Sequence, residues 1–447
     1  MKSFLAFVFV LCCGAFFVMF SPKFEKNSPT INMPNEIFWN LKSPLDFKIS
    51  DDTGIKKLKI TLNDDKNSVI LIDQKFDEFQ KDLDLKINFP KNPQFANSKN
   101  FSIKIEITDA SFWNFFAGNF ASKTAKIFVD KISPKVEVLD NSYKISRGGS
   151  AIVVFEANDK NLKELYIKTK GGKIFKPTPF YKNDFYTSLI AWPIYDDEFR
   201  AEIIAVDLAN NVTIRRIPLY LNDIKYKEST IELKDNFLEG KIANLASDYM
   251  NDFENFSGVE KFKFINENLR QKNQKNINDI TNKTDENLIK NFALNPFYPL
   301  SKSVKVGSFG DHRFYTKDGK NVSESWHMGV DFASVARAEF FADNKAKVVY
   351  ANENGIFGSN IVLYHGLGFY TVYAHCSKFS VNVGDELKVG DKIANTGSSG
   401  LALGDHLHFG VIIQGVDVNP AEWMDKKWMN ENIFSILENS KKIMDRN

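Results

Sequence analysis

The sequence predicts a mainly β protein of several domains, in which β-rich stretches flank one helical segment. Three observations lead to this fold class: the length of 447 residues, an ordinary globular composition, and short apolar runs separated by turn residues along most of the chain. Hydrophobic residues make up 43% of the chain and charged residues 26%, which excludes a wholly disordered protein. At about 150 residues per domain, this length corresponds to roughly three domains.

The charge balance points away from nucleic acid as a partner. Lysine and arginine number 58 against 56 aspartates and glutamates, for a formal net charge of +2. A chain this close to neutral carries no basic footprint for a phosphate backbone. Its three cysteines are too few for a disulfide framework or a cysteine-based zinc module.

Residues 1–26 are expected to form a signal anchor or a signal peptide. The uncharged run 4–20 would make about 26 Å of helix, slightly less than the ~30 Å of a hydrocarbon core. It ends in Val-Met-Phe-Ser-Pro rather than in small residues, which favours an uncleaved anchor over a cleaved signal; a buried core helix is the third alternative. Export would leave Cys376 as the single cysteine outside the membrane, which suits an oxidising periplasm.

Residues 29–130 and 131–222 are expected to form two tandem Ig-like β-sandwiches. The first stretch contains apolar runs bounded by turn residues, at 45–49, 58–62, 69–72, 83–89 and 103–107. Segments near Pro29 and Asp52 recur about 105 residues later, a usual size for a sandwich domain. Late in each stretch an aspartate and an asparagine occur together, as in bacterial extracellular Ig-like modules, which these stretches resemble. One larger, irregular β domain is the alternative.

The rest of the chain is expected to form a helical segment with a linker (223–295), a compact antiparallel β domain (300–428) and a tail with a short helix (429–447). Apolar spacing predicts helices over 237–249 and 258–270, and the Asn- and Lys-rich stretch 271–290 predicts a linker. Strands are predicted at 347–351, 360–364, 370–375, 392–394 and 406–413, with glycine-rich turns between them.

The histidines carry the strongest functional signal. All six lie between positions 312 and 408, which composition alone does not explain. Neutral imidazole is the commonest metal ligand, so the cluster indicates a metal or catalytic site.

The spacing of these histidines sharpens the interpretation. His327 and Asp331 lie four residues apart, and Gly329 between them disfavours a helix, so a strand or extended loop is expected. His406 and His408 are two residues apart and would share one strand face, roughly 6.6–7 Å apart along the chain. One of the two could bind a metal while the other faces its open position.

Residues 305–425 resemble the lysostaphin/LytM-type zinc metallopeptidases, which cleave peptidoglycan with a compact antiparallel β domain. The resemblance rests on motifs in a fixed order: His327-x-Gly329-x-Asp331, Tyr373-Ala374-His375, Thr396-Gly397-Ser398-Ser399-Gly400, His406-Leu407-His408-Phe409 and Val418-Asn419-Pro420. It implies one Zn²⁺ per chain, bound by His327, Asp331 and His408, with His375 and His406 as unligated catalytic histidines. Bound zinc with an open position agrees with a catalytic rather than a structural site.

The sequence departs from the family pattern at a few positions. Residues 335–342 replace the usual strand after the first motif, Asp405 stands where proline is common, and Gly410 stands where glutamate is common. We expect structural or groove roles for His312 and His365, a wall position for Tyr373, and a thiol of Cys376 that faces away from the metal.

The resemblance implies a periplasmic D,D-endopeptidase that cuts peptide cross-links in wall remodelling or cell shape. Its expected partners are peptidoglycan cross-bridges, the inner membrane through the N-terminal segment, and regulatory proteins. Two alternatives stay open: a catalytically silent activator of another wall hydrolase, and a wall-binding protein that acts through its Ig-like modules.

Overall fold

The computed structural model describes residues 2–91, Phe95 and residues 100–446, and the protein is mainly β, as predicted. The chain divides into two compact units. The first comprises Met1–Pro134, Asp159–Glu164 and Val206–Thr213, and the second comprises Lys135–Asn158, Leu165–Ala205 and Ile214–Asn447. The division into five folded segments stays a prediction.

Helix α1 (Lys2–Phe20) begins the described chain, and the side chains along most of its length are exposed. Among the described residues, no helix has both the length and the apolar character needed to cross a membrane. The spanning helix expected at 4–20 is therefore not found in the described part of the chain.

The first unit folds around two sheets that share one hydrophobic core. Its strands are β1 (Thr30–Asn32), β2 (Glu36–Trp39), β3 (Leu45–Ser50), β4 (Ile55–Asn63), β5 (Ser68–Lys75), β6 (Asp82–Ile87), β7 (Asn100–Asp109) and β8 (Phe120–Val129). One sheet has the order β1-β3-β6 and the other β2-β8-β7-β4-β5. Burial alternates along β7, where Ile103, Ile105 and Ile107 enter the core. The five strands predicted in this stretch are confirmed.

The next stretch, to residue 222, is also built of strands. They are β9 (Lys135–Asn141), β10 (Lys144–Ser146), β11 (Ser150–Asn158), β12 (Leu162–Thr169), β13 (Ile174–Phe175), β14 (Thr178–Pro179), β15 (Phe185–Ala191), β16 (Ala201–Asp207), β17 (Val212–Arg216) and β18 (Tyr220–Asn222). Two four-stranded sheets result, in the orders β14-β15-β11-β9 and β13-β12-β16-β17, and β10 pairs with β18. The Ig-like character of this stretch and of the first unit stays a prediction.

The helical segment begins after β19 (Glu228–Glu232). Its helices are α2 (Asp235–Phe237), α3 (Ala243–Tyr249), α4 (Gly258–Lys263) and α5 (Arg270–Thr281), with π-helical turns at Leu238–Ile242 and Phe264–Leu269. The predicted linker 271–290 is wrong over its first half, because α5 occupies it. The sequence hides this helix because its polar residues bond to neighbouring loops: Asn273 Oδ1 accepts a hydrogen bond from Ile356 N at 2.9 Å, and only Ile277 is a large buried apolar anchor.

The C-terminal region is a second strand-rich body. Its strands are β20 (Val304–Gly307), β21 (His312–Lys317), β22 (Lys320–Trp326), β23 (Val330–Ala333), β24 (Glu339–Phe341), β25 (Ala346–Glu353), β26 (Ser359–Tyr364), β27 (Phe369–Cys376), β28 (Lys378–Phe379), β29 (Glu386–Leu387), β30 (Lys392–Asn395), β31 (Leu407–Ile413) and β32 (Val416–Val418). The five strands predicted after residue 346 are confirmed, although His406 lies just before β31. The main sheet has the order β20-β23-β31-β27-β26-β25-β29, with β32 beside β31.

The two faces of this main sheet are distinct. Leu407 and Phe409 of β31 point to one face, where Phe409 packs on Phe297 and Tyr373. His408 and Ile412 point to the other face, and α5 covers part of it by placing Ile277 against Ile412 and Val372. The chain ends in α6 (Pro420–Met424), α7 (Lys426–Met429) and α8 (Ser435–Met444), so the predicted tail helix is confirmed.

A half-buried carboxylate joins α6 to β11. Glu422 Oε2 accepts hydrogen bonds from Ser150 N and Ser150 Oγ, both at 2.9 Å, and Trp423 Nε1 donates to Ser150 Oγ at 3.1 Å. Burial raises the pKa of Glu422 to about 8, and the two bonds from Ser150 lower it only in part. The folded protein therefore holds this carboxyl in its protonated form at neutral pH.

We expect Glu422→Gln to flatten the dependence of stability on pH. From about pH 4.5 to about pH 8 the unfolded chain has lost the Glu422 proton while the folded chain keeps it, so stability falls as pH rises through this window. Glutamine retains an acceptor oxygen but cannot ionise. Between pH 5 and pH 8 the Tm of the variant should fall less than that of the native chain, by about 2 °C or more. Thermal unfolding across this range is the measurement, with the exposed Glu431→Gln as control; equal slopes for all three proteins would contradict the prediction.

Candidate metal centre

Three elements bring His327, Asp331 and His408 together. His327 lies directly after β22, Asp331 is in β23, and His408 is in β31. Antiparallel pairing of β23 with β31 sets Asp331 opposite His408, so both side chains lie on the same face of the sheet. Position 329, between His327 and Asp331, has to be glycine, because the backbone there passes so close to His408 that a Cβ would lie 2.5 Å from His408 Nε2.

The donor atoms of these three residues converge. His327 Nε2 lies 3.0 Å from Asp331 Oδ1, His408 Nδ1 lies 2.9 Å from the same oxygen, and the two nitrogens are 3.1 Å apart. All three residues are buried. Three ligand atoms at this mutual spacing can contact one ion at the ~2.0–2.2 Å usual for zinc with nitrogen and oxygen ligands.

Proton positions favour a cation at this point. Ser308 O can only accept, so His327 Nδ1 at 2.8 Å must donate to it, and a neutral His327 then presents a lone pair at Nε2. Without a metal, burial raises the pKa of Asp331, but hydrogen bonds and charges from His327 and His408 in their protonated forms outweigh it and hold that pKa far below its usual range. Burial lowers the pKa of His408. Two imidazoles and one ionised carboxylate therefore form a donor set that fits a divalent metal such as zinc.

His375 and His406 lie beside this cluster. Their ring centroids are 4.8 Å apart, the ring of His375 is 5.9 Å from that of His408, and His406 Nε2 is 3.7 Å from Asp331 Oδ1. Each donates a hydrogen bond from Nδ1 to a backbone carbonyl, His375 to Ser399 O at 2.9 Å and His406 to Gly404 O at 2.8 Å. Both rings are thus oriented by the backbone, and within the described residues neither Nε2 atom makes a hydrogen bond.

His375 reaches the cluster through an unusual backbone conformation. Tyr373 is paired with Phe409 on the far face of the sheet, and regular alternation would put His375 on that face as well. The φ angle of His375 is +63°, in the left-handed region, which turns its side chain towards His408 instead. A strained residue of this kind persists only where the surroundings hold it, and such residues concentrate at functional sites.

His312 and His365 are placed outside the cluster. His312 stacks on Trp326 with ring centroids 4.3 Å apart. The ring nitrogens of His365 are bonded to Lys345 O at 3.1 Å and Thr371 Oγ1 at 2.8 Å, and burial lowers its pKa to about 4. His365 is therefore a neutral, structural histidine.

Tyr373 and Cys376, which the sequence predicts to play no direct part at the metal, lie away from the donor atoms. Tyr373 is fully buried and stacks on Phe340. The thiol of Cys376 is buried 3.7 Å from Tyr373 O, and burial raises its pKa to about 12, so it is unreactive.

Sequence reasoning missed some of the groups that support the centre. Arg313 Nη2 lies 3.9 Å from Asp331 Oδ2, and its Nε donates to Asp311 at 3.1 Å. Asp405 accepts hydrogen bonds from Thr396 Oγ1 at 2.6 Å and Arg337 N at 3.0 Å, which fixes the loop before His406. The sequence shows Asp405 as a departure from a family pattern, but it gives no signal for Arg313.

Comparisons with known proteins agree with this geometry. Residues 325–420 match Peptidase family M23, so the similarity lies in the C-terminal region that carries the cluster. An "Uncharacterized metalloprotease" of Haemophilus influenzae is 36% identical over 141 residues, which are 31% of this chain and 28% of that protein. The peptidoglycan DD-endopeptidase ShyB of Vibrio cholerae is 30% identical over 139 residues, 30% of this chain and 32% of that protein.

A relative with a different role shows a comparable degree of identity. The murein hydrolase activator NlpD of Salmonella dublin is 32% identical over 116 residues, 25% of this chain and 30% of that protein. The chain spans only about a third of the length of the first curated relatives it matches, so the similarity concerns the C-terminal region.

We expect His408→Ala to abolish stoichiometric metal binding. The variant removes one of three donors and leaves two, which cannot complete a catalytic zinc site. Metal content after dialysis against trace zinc, measured by mass spectrometry, should fall from about one ion per chain to near zero. His312→Asn, which changes a histidine outside the cluster, should keep its metal. Equal metal content in the two variants would place the ion elsewhere.

We expect Gly329→Ala to weaken metal binding without changing any ligand. The added methyl group would lie 2.5 Å from the His408 ring and 2.7 Å from Phe409 O, so the ring must move. Displacing the support of a ligand typically costs about 10- to 100-fold in metal affinity. Competition with a fluorescent chelator measures the Kd. Gly404→Ala is the matched control, because a Cβ there meets nothing within 4 Å; an affinity loss of the same size in Gly404→Ala would show that the effect is not steric.

Proposed function

We propose that this chain is a zinc-dependent peptidoglycan hydrolase, a D,D-endopeptidase that cleaves peptide cross-links. One observation carries the proposal: three donor atoms from His327, Asp331 and His408 lie 2.9–3.1 Å from one another, with His375 and His406 beside them. His327, Asp331 and His408 would hold one Zn²⁺. When bound, zinc supplies Lewis acidity and a nucleophile at neutral pH, and three protein ligands leave a position open for substrate.

The two remaining histidines would divide the proton transfers. Burial lowers the pKa of His375 well below its ordinary value, and the charges of His406 and His408 lower it further. A neutral His375 that donates from Nδ1 presents a lone pair at Nε2, which suits uptake of a proton. His406 is less buried, and its Nε2 points towards the same space. It would stabilise charge on the carbonyl oxygen and give a proton to the leaving amine.

The substrate class rests on the relatives. ShyB is named as a peptidoglycan DD-endopeptidase, and we extend this activity to the present chain as part of the proposal. The bond cut would be the amide between a D-alanine and a diamino acid of the cross-bridge. The protein would act on the periplasmic side of the inner membrane in wall remodelling or cell shape, with the domains at 29–130 and 131–222 and the segment 223–295 spacing the peptidase domain at 300–428.

A second candidate function is activation of another wall hydrolase. The similarity to the activator NlpD favours it, and a regulatory role would involve protein partners. The complete set of three donors and two further histidines favours the enzyme instead, because an activator needs no metal or proton-transfer groups.

We expect the full chain to convert cross-linked muropeptide dimers to monomers, and each of two histidine variants to lose this activity differently. His408→Ala should lose both metal and turnover. His406→Gln should keep about one zinc per chain and lose turnover by roughly 10²- to 10⁴-fold, because a proton-transfer group is missing while the ligands are intact. Mass spectrometry of digested sacculi identifies the bond, and His312→Asn serves as the control with retained activity.

Two other outcomes have distinct meanings. Bound zinc without any new muropeptide, together with stimulation of a second wall hydrolase, would replace the enzyme by the activator. Turnover that survives in His408→Ala would contradict the proposed metal site.

A further inference from the structure

A guanidinium group without an acidic partner lies near the metal centre. Arg270, at the start of α5, donates from Nη2 to Asn266 Oδ1 at 2.9 Å, and from Nε to Asn266 Oδ1 and Asn266 O, both at 3.2 Å. Among the residues that the structure describes, no carboxylate lies within 4.0 Å of it, and Nη1 donates no hydrogen bond. The side chain is half-buried, so its charge is only partly solvated.

The position of Arg270 is set by the surroundings of the metal centre. Helix α5 packs on the sheet face that carries His408, because Ile277 contacts Ile412 on that face. Asn266, which holds the guanidinium, donates to Ser323 Oγ at 2.9 Å and to Glu324 O at 3.0 Å in β22. Arg270 is therefore fixed between the helical segment and the hairpin that leads into His327.

Two side chains close to Arg270 also lie close to the candidate metal ligands or to residues next to them. Arg313 approaches Asp331 Oδ2 to 3.9 Å, and its positive charge is felt at Arg270, where burial lowers the pKa and Arg313 lowers it further. On the other side, Tyr195 lies with its hydroxyl 3.5 Å from Met328 Sδ and its ring at the edge of Trp326. Arg270 is thus linked electrostatically to Arg313, which approaches Asp331 and pairs with Asp311, and to Tyr195, which approaches the residue after His327.

A half-buried arginine with no carboxylate beside it among the described residues is suited to bind an anion. A half-buried charge without a counter-charge is costly, and Arg313 beside it raises that cost. Guanidinium is planar and binds carboxylates through two parallel hydrogen bonds, and it is less strongly hydrated than an ammonium group. Asn266 orients the fork in advance, which reduces the entropy lost on binding.

We propose that Arg270, assisted by Arg313, forms a subsite for a free carboxylate of the peptide substrate beside the scissile amide. This inference rests on the proposed function, since it assigns the subsite to the peptide that the metal centre would cut. Peptide stems can offer two such groups, a terminal α-carboxylate and a side-chain carboxylate of the diamino acid. The shared chemistry is a peptide carboxylate, and the two sources are separated in the test.

The experiment measures peptide binding without cleavage, so every protein tested is the zinc-loaded full chain that also carries His406→Gln, the variant expected to keep zinc and lose turnover. Calorimetry gives the Kd of a muropeptide dimer with both carboxylates free, one with the terminal carboxylate amidated, and one with the side-chain carboxylate amidated. Arg270→Gln should weaken binding of the free dimer by about 10- to 100-fold and should leave one of the amidated dimers unaffected. The unaffected dimer identifies the carboxylate that Arg270 contacts.

Control variants keep the test decisive. Lys275→Gln removes a positive charge from the exposed side of α5 and should change none of the three Kd values. Arg270→Lys keeps the charge but loses the fork, and should recover only part of the affinity; it replaces Arg270→Gln if thermal unfolding shows that the glutamine variant is not folded. Zinc content should be the same in all variants.

The outcomes separate the subsite from the catalytic proposal. A dimer that binds in an Arg270-dependent, carboxylate-dependent manner but is not cut would support the subsite while the hydrolase proposal fails. Equal weakening of all three dimers by Arg270→Gln, or no weakening of any, would overturn the subsite. If the zinc-loaded His406→Gln protein with Arg270 intact binds free and amidated dimers with the same Kd, the subsite is likewise overturned.

Discussion

The antiparallel pairing of β23 with β31 is the contact on which the candidate metal centre depends. It places Asp331 directly opposite His408, and the side chains then share a face because pleating alternates with a period of two. A slip of one residue would bring Asp331 opposite Leu407 or Phe409, whose side chains point to the hydrophobic face. The burial of Leu407 and Phe409 therefore holds the register that brings the ligand atoms together.

The electrostatics of this face explain why such an arrangement calls for a cation. The three atoms that converge are two imidazole nitrogens and a carboxylate oxygen, all within 3.1 Å of one another and all in buried residues. Buried acceptors that face one another repel unless a proton or an ion lies between them. The hydrogen bond of His327 to Ser308 O directs the ring proton away from the cluster, so the lone pair remains for the ion.

Residues outside the peptidase domain shape the access to this centre. The helical segment buries Leu238 and Phe262 together with Tyr315 of β21 and Ile356 of the facing loop. It also brings Arg270 to the hairpin that precedes His327, while Tyr195 approaches Met328 from the β-rich stretch before the helices. Two of the three candidate ligands, Asp331 and His408, come from the main sheet, and His327 comes from the segment between β22 and β23.

The local sequence was sufficient to predict the strands and to predict which candidate ligands share a strand face. Alternation of Leu407, His408 and Phe409 already assigns His408 to a polar face and its neighbours to a core, because side-chain direction in a strand depends only on position. The same rule misplaces His375: alternation puts it with Tyr373, and only the left-handed φ that the folded loop imposes turns it towards His408. The helix α5 was missed for a related reason, since its Asn and Gln side chains bond to loops distant in sequence. The sequence by itself thus determined the β-rich fold class, the strands and the likeness to a metallopeptidase, because each depends on short-range pattern. The tertiary structure alone decided the direction of His375, the enclosure of Glu422 and, within the described residues, the lack of a carboxylate beside Arg270, because each depends on which distant residues surround a group.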